Sequence, residues 1–252
     1  AQFVENVRGV VSDITTGSLS SLTNALEVID ELSENDPKAA RELSDARAEI
    51  QALLWSRYGK RLANRDAASS ALALNENTGI SLESIHARII MNKLTWSDDE
   101  VESFLSEYLE NYPDSIKPRL LRSKLAATKS RAAEALENLV TAYQLDPTNR
   151  EVLLELANWE GRSSNYRSML RFLEEILEQD AYRDDVEALL NSVVLSQILG
   201  DERKIARLQS RLVGVVRDEG IAVAKDEIGR ASLVFAVLNL ISQDLEQALE
   251  NL

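Results

Sequence analysis

The stretch Ala135 to Pro147, ALENLVTAYQLDP, decides the fold, because its pattern returns at a fixed distance along the chain. Thirty-four residues earlier stands Val101 to Pro113, VESFLSEYLENYP, and 34 residues later Met169 to Ala181, MLRFLEEILEQDA. Twelve, eight and five residues before each turn stand Val101, Leu105 and Tyr108, then Ala135, Leu139 and Ala142, then Met169, Leu173 and Ile176. A fourth copy, Ala25 to Pro37, places Ala25, Ile29 and Leu32 at the same offsets. Offsets of three and four residues line one helical face, and their constant distance from a turn marks a helix-turn-helix repeat of 34 residues.

The caps divide the chain. Ser97 with Glu100, Thr148 with Glu151 and Asp184 with Glu187 have the spacing in which a side-chain oxygen and a Glu satisfy the orphan amides of a helix start. Asp36-Pro37 and Lys117-Pro118 mark two more starts, since Pro in the first turn loses an amide that has no intrahelical partner. Gly200-Asp201 marks a turn within a pair. These signals predict an all-α, right-handed α-solenoid of about seven antiparallel helix pairs, roughly 3–36, 37–79, 81–114, 115–148, 149–182, 184–219 and 221–252, forming a single domain whose most regular part is 81–182. Pro37 to Pro113 exceeds two periods by eight residues, which predicts a lengthened, protruding helix carrying Leu53, Leu54, Trp55, Tyr58 and Leu62.

Composition agrees with this reading and narrows the function. The 252 residues are 44% hydrophobic, with nine Gly and four Pro, so they bury a large core and leave little for linkers. A formal charge of −14 opposes phosphate backbones, which makes nucleic acid a poor partner. Without cysteine there are no disulfides and no thiolate metal sites. The apolar run Leu233 to Ile241 falls short of the roughly 18 residues of a membrane span, so direct membrane insertion is not expected. The start at Ala1-Gln2-Phe3, without Met, fits removal of a signal peptide, removal of the initiator Met or trimming, and a periplasmic or extracytoplasmic site is favoured over a cytoplasmic one. The chain stops within a helix pattern at Asn251-Leu252, from which a fragment of a longer protein is expected, the alternative being a naturally short terminal helix.

At Ala135, Leu139, Ala142 and Pro147 the sequence resembles the tetratricopeptide repeat (TPR) family, whose unit ends in a Pro-containing turn and keeps small residues where its helices cross. Leu153, Leu156 and Ala157 match the apolar part of the family's first helix, whereas Arg119 and Arg122 depart from it; Asp244 to Leu249 looks like the start of a repeat's second helix. The resemblance implies that first helices line a concave groove. Its lining is then Glu83, His86 and Ile90; Lys117, Leu120 and Lys124; Glu151, Leu154 and Asn158; and Asp185, Ala188 and Ser192. Asn158 matches one Asn of the family's carboxylate clamp, but Leu154 replaces its companion Lys, so that specific function is not implied.

Catalytic motifs are sparse. His86 is the sole histidine, and Asp98-Asp99 and Asp184-Asp185 stand at helix starts, where negative charge offsets the helix dipole. No catalytic, cofactor-binding or metal-binding residues are expected, and no cofactor. The function expected is a non-catalytic protein–protein interaction scaffold that binds a peptide or protein segment in its groove, within a larger assembly. Its candidate binding residues are His86, Lys117, Lys124, Asn158, Trp55 and Tyr58. Two alternatives are an oligomerisation module, with homo-oligomers forming through 221–252, and a helical-toroid enzyme acting on a polysaccharide, which needs two acids at catalytic separation.

Overall fold

The computed structural model describes residues 9–11, 14, 19–34, 36–58, 62–74, 79–92 and 94–218. Its elements are α1 (Leu19–Glu34), α2 (Pro37–Glu42), α3 (Ser44–Tyr58), α4 (Leu62–Leu74), α5 (Leu82–Met91), α6 (Asp98–Asn111), α7 (Ile116–Thr128), α8 (Ala132–Leu145), α9 (Arg150–Arg162), α10 (Tyr166–Leu177), a 3₁₀ turn Asp180–Tyr182, α11 (Val186–Leu199) and α12 (Glu202–Asp218). No strand occurs among the described residues. Contacts divide the chain into two compact units, Ala1–Leu145 and Asp146–Leu252.

In the first unit α3 packs on α1, α4 and α5, while α7 packs on α5, α6 and α8. In the second, α9 packs on α10, α10 on α11 and α11 on α12. Short connections make successive helices antiparallel neighbours. Most residues at the predicted offsets form the core: Ala25, Ile29, Leu105, Ala135, Ala142 and Ile176 are wholly buried, and Val101, Leu139 and Leu173 nearly so, while Leu32, Tyr108 and Met169 are half-buried. Burying each Leu or Ile contributes about 1.5–3 kcal/mol, and the row of such residues along one face is what fixes the helix packing.

The eight extra residues do not lengthen a protruding helix. Six residues form a separate helix, α2, which has Asp36 as its N-cap and Pro37 in its first turn and is divided from α3 at Leu43. Helix α3 is then embedded: Ile50, Leu53 and Leu54 join one core cluster with Leu22 and Ile29, while Ala48 and Ala52 join another with Ala68, Ala71 and Leu72. Beyond the insertion the period resumes at Gly79, 34 residues before Pro113, with φ +107°. That left-handed backbone is what glycine tolerates and other residues resist.

Two predicted caps lie one residue off. Asn149, not Thr148, caps α9, accepting from the amides of Glu151 and Val152. Asp185, not Asp184, caps α11 by accepting from Ala188. Thr148 instead bonds Asp146, and Asp184 meets Arg211 at 3.2 Å. Ser97 with Glu100 forms the predicted capping box, and Ser81 with Ser84 forms another. The turns inside pairs repeat as well. Ser130, Ser164 and Gly200 all take positive φ, at 59°, 57° and 73°, and close α7, α9 and α11 in the same way. The predicted last pair, including Leu233 to Ile241, lies outside the described residues.

Helix α9 shows how a repeat tolerates a changed side chain. Met169 stands where Ala135 stands one period earlier, and Gly161 stands where Ala127 does. A Cβ on Gly161 would lie 2.9 Å from the Met169 sulfur, so the missing methyl on α9 makes room for the larger side chain on α10.

Candidate interaction site

The 34-residue spacing carries charge as well as apolar side chains. Glu49, Glu83, Lys117, Glu151 and Asp185 occupy one repeat position in successive first helices. Within each unit, members of this series are joined to a buried ion network.

In the first unit, Glu49 is the centre. Its side chain is 2% exposed, its Oε1 lies 2.6 Å from His86 Nδ1, and its Oε2 accepts from Lys117 Nζ at 2.8 Å. Lys117 also donates to Glu83 at 3.1 Å. Burial pushes the Glu49 carboxyl upward, but the charge of Lys117 and the hydrogen bond and charge of His86 together hold it below the ordinary carboxylate value. Glu49 is therefore an acceptor, and the His86 Nδ1–H donates to it. Burial likewise lowers Lys117, and Glu49 and Glu83 more than offset this, leaving it raised.

In the second unit the signs are reversed. Arg150 is 1% exposed and meets Asp185 Oδ2 at 2.6 Å through Nε, Glu151 Oε1 at 2.7 Å through Nη1, and Glu187 Oε2 at 3.4 Å through Nη2. Burial works against its charge, but Asp185 and Glu151 outweigh it and hold the guanidinium well above its usual value. Asp185 has two tasks, since its other oxygen caps α11.

These networks change the standing of two expected groove residues. His86 and Lys117 are not solvated side chains on a free face; both are bound to Glu49, and His86 is buried. Sequence reasoning missed Glu49 and Arg150. The 34-residue step from Glu83 back to Glu49 was the available signal for the first, while Arg150 sits beside the series and has none. Lys124 is half-buried on α7. Trp55 packs against the Ala48 and Ala52 cluster with the Arg65 guanidinium 5.6 Å from its ring centroid. Tyr58 closes α3, and its side chain lies outside the described residues.

Asn158 is exposed and lines an open groove in the second unit, one period after Lys124. Asn158, Gly161 and Arg162 come from α9, Tyr166 and Met169 from α10, and Leu195 from α11, around a volume of about 470 Å³. The groove offers an amide, a guanidinium and a phenol above a thioether and an aliphatic floor. Glu160, close by in sequence, is turned to Asn165, whose Nδ2 donates to it at 2.6 Å. Among the described residues no group of three or more His, Asp or Glu side chains is placed to hold a metal ion. No described helix is long and apolar enough to cross a membrane.

No protein-family model matches the sequence, and no curated protein is similar to it. Among solved structures the chain is similar to the crystal structure of yeast Tom70, a TPR-containing helical repeat protein, with a TM-score of 0.50 and 13% identity. The similarity covers 98% of this chain and 58% of that one, so this chain spans less than two thirds of the solved Tom70 chain. Helix pairs at a 34-residue period and likeness to a TPR-containing structure agree: the chain has a TPR-like α-solenoid fold.

Proposed function

We propose that the chain is a non-catalytic scaffold that holds a peptide or protein segment as part of a larger assembly. The groove at Asn158, Arg162 and Tyr166 carries this reading, because all three side chains are exposed around one open depression. Small-molecule sites enclose most of their ligand, whereas a groove with half its lining in solvent fits an extended segment that lays one side chain against Met169 and Leu195. The likeness to Tom70 supports the scaffold class. Tyr and Arg are also the side chains that concentrate binding energy at protein interfaces.

The test is selection from a displayed peptide library on the full chain, followed by titration of the selected peptides. The variant Asn158→Ala/Arg162→Ala/Tyr166→Ala, shown by circular dichroism to keep its helices, should bind them at least tenfold more weakly. Equal affinity for the triple variant, or no enrichment over an unrelated helical protein, overturns the proposal.

A further inference from the structure

Arginines at one repeat position are treated differently in consecutive pairs of the first unit. Arg122 on α7 is matched with acceptors from α6: its Nε donates to Glu102 at 3.2 Å and its Nη2 to Ser106 at 2.8 Å. Arg88 on α5 stands one period earlier, but the residues one period before Glu102 and Ser106 are Ala68 and Leu72, both buried in the apolar cluster of α4 and α5. The repeat has kept the arginine and lost its acid.

Arg88 is nonetheless 6% exposed, and its Nε is enclosed without a hydrogen-bond partner. Its guanidinium lies over Trp96, with Cζ 4.7 Å from the ring centroid. No carboxylate among the described residues pairs with it. The acids nearest Trp96 in sequence are engaged or exposed: Asp98 meets Lys129 at 2.7 Å, Glu100 is bound back to Ser97, and Asp99 is exposed in the first turn of α6. A guanidinium over a ring keeps its N–H donors in the plane of its own fork, the geometry that a planar carboxylate matches. A buried cation without a counterion is costly, so an acid arriving from outside relieves a penalty that the fold already carries.

We propose that Arg88 and Trp96 form a seat for one carboxylate, supplied by a Glu or Asp side chain of a protein segment held by this scaffold. The inference rests on the scaffold reading, although it concerns a site in the first unit and not the groove of the second. Its test reads Trp96 alone.

The full chain carrying Trp55→Phe and Trp159→Phe, checked by circular dichroism, leaves Trp96 as the only tryptophan. Its emission is followed during titration with acetate, inorganic phosphate, a terminally blocked Glu-containing peptide and the Gln version of that peptide, at ionic strength held constant with chloride. The expected result is a saturable change with the Glu peptide, at least tenfold weaker binding of acetate and of the Gln peptide, and no response to chloride. Arg88→Met should abolish the change; Arg88→Lys, which keeps the charge without the fork, should weaken it at least tenfold. If Arg88→Met does not fold, Arg88→Lys decides. A response to phosphate but not to carboxylates, acetate as tight as the peptide, an unchanged response in Arg88→Lys, or no response to any probe overturns the proposal. Failure here with peptides still selected on the Asn158 groove removes only the seat, whereas failure of that selection removes the scaffold reading itself.

Discussion

Two buried ion networks draw members from one repeat position and solve opposite problems. In the first unit a carboxylate, Glu49, is buried and two bases come to it; in the second a guanidinium, Arg150, is buried and three acids come to it. The partners differ in how far they can retreat. Lys117 is 31% exposed and keeps Glu83 as a second acceptor, whereas Arg150 and Asp185 are only 1% and 2% exposed. Residues of one repeat position thus take part in one adaptable junction and one rigid junction.

The rigid junction should show the largest effect. Arg150→Ala leaves Asp185 charged and enclosed, and breaking such a buried pair typically costs about 3–5 kcal/mol. The double variant Arg150→Met/Asp185→Asn should lose much less, because Asn still caps α11 and neither buried charge remains. Urea unfolding followed by circular dichroism checks both. A double variant as unstable as the single one would show that Glu151 and Glu187, not Asp185, carry the interaction.

Glu49→Ala should cost about 2–3 kcal/mol, less than Arg150→Ala, because Lys117 retains Glu83 and only the His86 N–H is stranded. An equal cost in the two units would remove the distinction between adaptable and rigid junctions. The measurement is the same unfolding series.

A smaller effect separates the units by pH. The Glu49 carboxyl titrates lower in the folded chain than in the unfolded one, so its contribution is complete above the ordinary value of 4.5 and disappears as pH falls through the depressed folded value. The Lys117 contribution runs the other way: complete below 10.5, it disappears as pH rises through the raised folded value. Each unit of displacement corresponds to about 1.4 kcal/mol. In Glu49→Ala the acid-side loss of stability should flatten, and the alkaline loss should shrink, since Glu49 is the strongest of the groups that raise Lys117. Arg150 keeps its charge across the whole range. Parallel stability–pH curves for wild type and Glu49→Ala would contradict this.

How much of this was legible follows from what each signal depends on. The apolar offsets and turn spacing were readable because burial on one helix face constrains residue type directly, as Ala135, Leu139 and Ala142 show. Gly200 announced a left-handed turn because glycine favours that backbone; Ser130 and Ser164 adopt it without any such signal, because serine is equally at home in other turns. The Pro37 spacing hid its own cause, since eight extra residues read alike as a longer helix or as an added one, and only the break at Leu43 distinguishes them. At the site, Lys117 and His86 were read as partner-binding candidates without their buried partner, because Glu49 lies 68 and 37 residues away and burial is a tertiary fact. Asn158 was named from the family resemblance, while Arg162 and Tyr166 join it in the groove only through where the α9 to α10 turn places them.

The smallest effect concerns how the helix crossings are filled. In the first unit Ala127 and Ala135 hold the positions that Gly161 and Met169 hold in the second, so the second unit reaches a similar crossing with a different division of volume. Gly161→Ala restores a methyl to α9. It gains about 0.5 kcal/mol from reduced freedom of the unfolded chain, the lower part of the usual range because the site is in the last turn of the helix. Against this, the new Cβ would stand 2.9 Å from the Met169 sulfur, the far end of a side chain with three rotatable bonds. Since that end moves cheaply, the net change should be a stabilisation of about 0.5 kcal/mol or less, read as a slightly higher urea midpoint with an unchanged slope. Gly161 and Met169 also line the groove. Selected peptides that place an apolar side chain there should therefore bind Gly161→Ala more weakly even as the fold gains stability. A loss of more than about 1 kcal/mol would mean that Met169 is locked and that the crossing is overpacked, as in a rigid core. Unchanged peptide affinity would place the bound segment away from Met169.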